Sequence, residues 1–227
     1  MSADLNVIPL KGVRGMIADA MVKSIATAAQ LTHHATADAT ALLAEKERLS
    51  QEGIRVSVED LLMLAVVRSL KKHPEANGRV EDREITLHAG IDLSVAMALP
   101  GNLLVAPAIF DAGGMDVNAL RSARQNLAER AKANKLTVTE MTGGTFTISN
   151  LGLTRVEYFT PIINACQICI LGIGCISGRA AAAPKGGIEI RPCIGLSLTF
   201  DHRALDGAPA GSLLTTICQE IEGLAAS

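Results

Sequence analysis

LSLTFDHRALDGAPA, residues 196–210, carries the densest chemistry in the chain. An apolar strand runs into Asp201-His202-Arg203, and Asp206-Gly207 then open a helix. His202 is therefore expected at a strand end, where an imidazole is well presented. Neutral imidazole takes a proton near pH 7. An H-x-x-x-D-G spacing alone is equally compatible with a structural histidine, so the rest of the chain has to decide.

Upstream, Lys11 to Ala29 reads as a helix, with Met16, Ile17, Ala20, Met21 and Ile25 at helical spacing. A strand is expected over Leu31 to Ala39. Thr40 is expected to cap a second helix that Gly53 ends. Ser57 and Asp60 open a third in a capping-box-like arrangement. That helix is apolar nearly all round and should be buried. His73-Pro74 stops it. Strands are expected over Glu84 to His88, Ile91 to Leu99 and Leu103 to Phe110, the last two separated by Pro100-Gly101-Asn102. A helix over Asp116 to Ala133, the strand TFTIS, strands over Ile168 to Ile176 and Ile188 to Phe200, and a helix from Asp206 to Gly223 complete the chain. Ala180 to Gly187 looks like a surface loop. Helices and strands alternate without strict βα order, which predicts mixed α/β layers rather than a doubly wound sheet.

The chain has 227 residues, 48% of them apolar, and charged residues are 19%. Mean hydropathy is +0.30, and the excess reads as apolar surface reserved for partner subunits. A net charge of -2 and 2% aromatics argue against nucleic-acid binding. No membrane span or secretory leader is read. The 5 cysteines suggest reduced thiols in a cytosolic-type or other reducing compartment such as a mitochondrial matrix. Cys166 and Cys169 form a CxxC without a second ligand pair, and are read as buried and chemically idle. His33 and His34 are adjacent on a strand, so they face opposite sides and make a poor metal pair. Asp111, Asp116 and Glu129 read as solvated. No metal is expected, and GIGCISG matches no phosphate-binding loop.

The blocks IPLKGVRGMIADAM, VSVEDLLMLAVVRSLKKHPEAN, IDLSVAM, LLVAPAIFDAG, GGTFTISNLG, FTPIIN, ILGIG and LSLTFDHRALDGAPA occur in this order. With them the chain resembles the catalytic domain of the acyltransferase component of 2-oxo acid dehydrogenase complexes, from about residue 8 to 224. The resemblance implies a chloramphenicol-acetyltransferase-like α/β fold and a homotrimer with active sites between subunits. The implied reaction moves an acyl group between a dihydrolipoyl thiol and coenzyme A. His202 matches the general base and Ser149 the hydroxyl that stabilises the oxyanion, the two meeting across a subunit boundary. Asp206 matches a supporting carboxylate, Arg14 its arginine partner, and Gly207 a close-packing position. Asp206 as a helix cap is the plainer alternative, as is a backbone-bonded hydroxyl for Ser149. Residues that hold coenzyme A are not readable.

The chain reads as one catalytic domain over residues 1–227 without a lipoyl or subunit-binding domain, so the lipoyl group is expected from another domain or chain. Other complex components would be partners. Ala165-Cys166 stands where many relatives have a diproline. Ala225, Ala226 and Ser227 make a poor hydrophobic tip, which favours a trimer over a larger core of trimers. AQLTHHATADATALLAEKERL looks closest to acetoin-cleaving and pyruvate-type enzymes, which favours acetyl. Two alternatives are a coenzyme A-dependent transferase on a small molecule and a scaffold trimer with little activity. The first commonly has a second histidine where Asp201 stands, and the intact Ser149, His202 and Asp206 argue against the second.

Overall fold

The computed structural model describes Val7 and residues 9–101, 103–164, 166–183 and 186–224. Asn102, Ala165, Pro184, Lys185 and the 225–227 tip, on which some sequence expectations rest, lie outside the described residues. In chain order the helices are α1 (Gly12–Thr27), α2 (Thr40–Gln51), α3 (Val58–Lys72), α4 (Val117–Lys132), α5 (Val138–Thr142) and α6 (Gly207–Glu222). The strands are β1 (Gln30–Asp38), β2 (Gly78–Glu81), β3 (Glu84–Leu87), β4 (Leu93–Val95), β5 (Met97–Leu99), β6 (Leu103–Val105), β7 (Ala108–Ile109), β8 (Phe146–Asn150), β9 (Cys169–Ala182) and β10 (Ile188–Asp201).

The main sheet has the order β1-β10-β9-β8-β4-β7. β10 is antiparallel to both β1 and β9, whereas β8 runs parallel to β9 and to β4. This is the mixed sheet expected from the irregular order of elements. One face is apolar: Leu196, Leu198 and Phe200 of β10 pack with Phe146, Ile148 and Leu171, all shielded from solvent. α3 and α6 belong to the same core through Leu61, Leu62, Val66, Leu213 and Ile217. α3 begins with the expected capping box: Ser57 Oγ accepts from the Asp60 amide, and Asp60 accepts from the Ser57 amide. Arg124 of α4 closes on the same carboxylate at 2.7 Å, so a buried charge is paired and its helix end is satisfied.

The opposite face is polar in its β1–β10 half. Thr32 meets Thr199, and His34 Nδ1 meets Ser197 Oγ at 2.9 Å. His33 points the other way, where its ring packs edge-on to Phe200 beside Gly207 and Gly211 of α6. The two histidines thus face opposite sides, as their adjacency requires. α1 is the outlier among the long helices. Ser24 is its one buried residue, while Val13, Met16, Val22 and Ile25 are exposed. Ile188 and Ile190 are also exposed, at the far end of β10.

Several boundaries differ from expectation. Thr40 does not cap α2: Ala39 holds that position, and the Thr40 amide is taken by the Asp38 carboxylate two residues back. Gly53 does follow the helix, with φ +80. The strand expected over Ile91 to Leu99 breaks at Ala96, whose amide turns to the Ile148 carbonyl. β4 stays in the main sheet, while β5 leaves to pair with β6. The run expected over Leu103 to Phe110 divides likewise into β6 and β7. Ala180 to Ala182 are strand, not loop, because they pair with Ile188 to Ile190 across the hairpin.

Candidate active site

His202 follows the last residue of β10 and belongs to a tight turn. Ala204 and Leu205 donate to the Asp201 carbonyl, and the His202 amide donates to Ala29. Asp201 anchors this turn. Its carboxylate is 1% exposed and accepts from the Ala29 amide, the Arg203 amide and the Arg203 guanidinium. Burial alone would raise the Asp201 carboxyl, but these donors hold it below the usual carboxylate range. The charged pair thus leaves His202 outside the core on a fixed stem.

The His202 side chain is 44% exposed, and its Nδ1 lies 3.5 Å from Asp206 Oδ1. Its ring sits 5.7 Å from that of Phe200. Asp206 holds the N-cap position of α6 without a side-chain capping bond, so the capping alternative does not describe it. A carboxylate this near Nδ1 favours the proton on that nitrogen, which leaves the Nε2 lone pair as the acceptor. Arg14 donates to the Gly101 carbonyl at 3.1 Å. Within a protomer it is not among the ion-pair partners of Asp206 that the described residues form.

Arg203→Ala would leave Asp201 buried with backbone donors only. We expect a loss of about 2 kcal/mol, the order measured for hydrogen bonds to charged groups. The lowered carboxyl contributes fully above its unfolded value near ~4 and loses that contribution as pH falls through the folded value. Urea midpoints of wild type and variant should therefore differ at pH 7 and converge in acid. A constant difference down to pH 2–3 would show that the charge is irrelevant.

Ser149 lies on β8, level with Gly172 of β9, which is level with Ser197 of β10. Below it, Thr147 bonds Gln167 at 2.5 Å and Gln167 bonds the Gly144 carbonyl at 2.9 Å, fixing the strand. Ser149 borders a cavity of about 440 Å³ whose walls include Ala96, Val105, Met141, Phe159, Ile162 and Ile170. Ile17, Ala20 and Met21 of α1 line it too. None of the described residues hydrogen-bonds the Ser149 hydroxyl, so the backbone-bonded alternative does not hold within the protomer.

The strand register separates the two groups. His202 lies five positions beyond Ser197, and β10 is two strands from β8. At about 3.3 Å per residue and about 4.8 Å per strand, that is roughly 16 Å along and roughly 10 Å across, or about 19 Å in all. No rotamer closes such a gap. A site using both groups takes them from two copies of the chain.

The sequence reading missed what holds the cavity wall in place. An ideal Cβ on Gly174 or Gly195 would lie 1.9 or 2.0 Å from the Glu157 carbonyl oxygen. One on Gly172 would lie 2.8 Å from Phe159 Cζ. These three glycines of adjacent strands make a flat floor for the extended segment 156–159, which accounts for the first two glycines of GIGCISG. Gly195→Ala should lift that segment and cost about 1–3 kcal/mol, the usual range for overpacking. An unchanged denaturant midpoint would refute the floor.

Of the Cys166–Cys169 pair read as buried, Cys166 is only partly so. Cys169 is fully buried, and desolvation pushes its thiol well above the usual range. Burial raises Cys218 to about 11. Among the described residues no three His, Cys, Asp or Glu side chains gather as a metal site, and no helix is long and apolar enough to cross a membrane. Asp111, Asp116 and Glu129 are exposed, and Asp116 caps α4.

The family model for the catalytic domain of 2-oxoacid dehydrogenase acyltransferases matches residues 2–226. The chain belongs to that acyltransferase family. It is 35% identical over 220 residues to the dihydrolipoyllysine-residue acetyltransferase component of the pyruvate dehydrogenase complex of Corynebacterium glutamicum, covering 92% of this chain and 32% of that one. It is 36% identical over 225 residues to the acetyltransferase component of the acetoin cleaving system of Bacillus subtilis, covering 96% and 56%. The family member described here thus spans about a third to just over half the length of these relatives. Succinyltransferase components of 2-oxoglutarate dehydrogenase complexes are relatives as well.

Among solved structures, one described as a probable dihydrolipoamide acetyltransferase from Listeria monocytogenes has a TM-score of 0.91 at 30% identity, covering 99% of this chain and 97% of that one. Another concerns the role of a serine, a histidine and an asparagine in the catalytic mechanism of Azotobacter vinelandii dihydrolipoamide acetyltransferase; its TM-score is 0.89 at 25% identity, covering 98% and 93%. Chloramphenicol acetyltransferase, at a TM-score of 0.58 and 16% identity over 91% of this chain and 94% of that one, shares the fold.

Proposed function

We propose that residues 1–227 form one acyltransferase catalytic domain that exchanges an acyl group between coenzyme A and a dihydrolipoyl thiol. The observation that carries this reading is Ser149: a hydroxyl with no partner among the described residues, at an apolar cavity, in a chain whose exposed His202 is backed by Asp206. His202 Nε2 takes the proton of the attacking thiol. The sulfur adds to the thioester carbonyl, and the oxyanion accepts a hydrogen bond from Ser149 of the neighbouring subunit. The C–S bond to the departing thiol then breaks, and that thiolate recovers the proton from the imidazolium. A free thiol with a pKa near ~8.5 is only a few per cent ionised at neutral pH, so the base matters. The Azotobacter histidine and asparagine are four positions apart, as His202 and Asp206 are, which supports these roles.

The assembly is a homotrimer at least, with the exposed apolar residues of α1 buried against neighbours. The relative with a solved cubic core, from a pyruvate dehydrogenase multienzyme complex, makes a larger assembly of trimers a reasonable extension. The lipoyl group comes from a domain or chain outside these residues, and a reducing compartment suits thiol substrates.

Acetyl is the acyl group this cavity suits. Among its described lining residues there is no Lys, Arg or His. A succinyl carboxylate would therefore be desolvated without a cation beside it, with only neutral groups such as Thr160 and Asn164 to bond it, which is unfavourable for a buried charge. The test is release of free coenzyme A from acetyl-CoA and from succinyl-CoA with dihydrolipoamide as acceptor. Preference for acetyl supports the reading. Preference for succinyl refutes the acyl assignment, and turnover only with a small alcohol or amine refutes the lipoyl acceptor.

A further inference from the structure

Part of the wall around Ser149 can give way. Met141 is flexible and 42% exposed, and Leu104 is 54% exposed. Phe159 cannot. Its ring rests on the bare backbone of Gly172, where an added Cβ would lie 2.8 Å from Cζ and 3.0 Å from Cε1. Two residues earlier, Glu157 is pressed by its carbonyl onto Gly174 and Gly195. The Phe159 amide donates a long, 3.4 Å hydrogen bond to Ser197 Oγ, and that hydroxyl, 1% exposed as a residue, is held in turn by His34 Nδ1 at 2.9 Å. The ring is thus backed by a strand with no room behind it and has only two side-chain torsions to adjust. It borders the same cavity as the Ser149 hydroxyl.

We infer that Phe159 is the stop that sets how long or branched an acyl chain the Ser149 cavity accepts, with Gly172 as the seat that fixes its depth. This rests on the acyltransferase reading above. An acyl carbonyl held by Ser149 has its alkyl chain in the apolar space beside it. A rigid wall there limits that chain, whereas a soft wall would yield. Phe159 contributes no proton or charge to the reaction, so its role is selectivity and not chemistry.

The experiment measures kcat/KM of the full chain for acetyl-, butyryl- and isobutyryl-CoA with dihydrolipoamide as acceptor. Phe159→Ala should raise the butyryl-to-acetyl and isobutyryl-to-acetyl ratios by about 10-fold or more, the range for gaining room for a methylene or two in an apolar pocket. Gly172→Ala should push the ring into the cavity and lower both ratios. A merely structural residue would depress all three substrates by one common factor, and that result in Phe159→Ala overturns the inference. If Phe159→Ala does not assemble, Phe159→Leu takes the same step in smaller measure; an unchanged ratio there overturns it equally. Absence of turnover by the wild type on every acyl-CoA would remove the acyltransferase reading itself, and the inference with it. Wild-type turnover with ratios indifferent to Phe159 removes the inference alone.

Discussion

Replacing His202 with alanine is expected to reduce acyl transfer by roughly 10²–10⁴-fold, the range for a positioned general base, without disturbing the fold or the assembly. The structural side of that expectation rests on what the imidazole does not do. Its side chain is 44% exposed. The contacts that shape the turn belong to the His202 backbone amide, to Asp201 and to Arg203, and all survive in the variant. The loss should therefore be chemical. Thiolate concentration then becomes limiting, so residual activity should climb with pH toward the free-thiol pKa. Size-exclusion and denaturation profiles should match wild type. Wild-type-like turnover in His202→Ala would remove this residue from the mechanism. Asp206→Asn, which retains a hydrogen-bond acceptor for Nδ1, should lose far less than His202→Ala.

Ser149→Ala is expected to lower kcat by about 10²–10³-fold, as removal of one oxyanion donor does elsewhere, with little change in KM. The hydroxyl has no partner among the described residues, and its strand is held by Thr147, Gln167 and backbone pairing. Its removal therefore costs the protomer almost nothing. A donor that matters only when negative charge develops on the carbonyl oxygen acts on the transition state and not on substrate binding. A rise in KM with kcat intact would assign Ser149 to binding instead.

The parts of this fold that local chemistry decides could be read from the sequence. Ser57, Asp60 and an all-round apolar run specify α3 as a capped, buried helix. The switch from apolar strand to Asp206-Gly207 specifies β10, the turn that carries His202, and α6. What could not be read depends on which strand a segment meets. Val95 and Met97 look alike in sequence, yet β4 takes its partners from β7 and β8, while β5 pairs with β6. Ala180 to Ala182 have weak strand preference and are extended because the other arm of the hairpin is there to pair with them. Gly172, Gly174 and Gly195 look like turn residues. Their reason is the approach of segment 156–159, some 13 to 40 positions away in the chain, which local pattern does not reveal. Ser149 and His202 were legible as residue types in motifs. Their separation was not, since it follows only from β8 and β10 running in opposite directions through β9.

That separation makes the account vulnerable to one measurement. In a cyclic trimer with one kind of interface, each site takes His202 from one subunit and Ser149 from the next. His202→Ala and Ser149→Ala, each nearly inactive alone, are co-expressed with different tags, and the mixed trimers are purified through both. A fully random mixture should regain about a quarter of wild-type activity, because half the sites receive an intact histidine and half of those an intact serine, as a heterologous interface requires. The doubly tagged fraction should recover a comparable or larger share. Activity no higher than that of the two parent variants would mean that both groups serve a site within one chain, in contradiction to the register of the sheet.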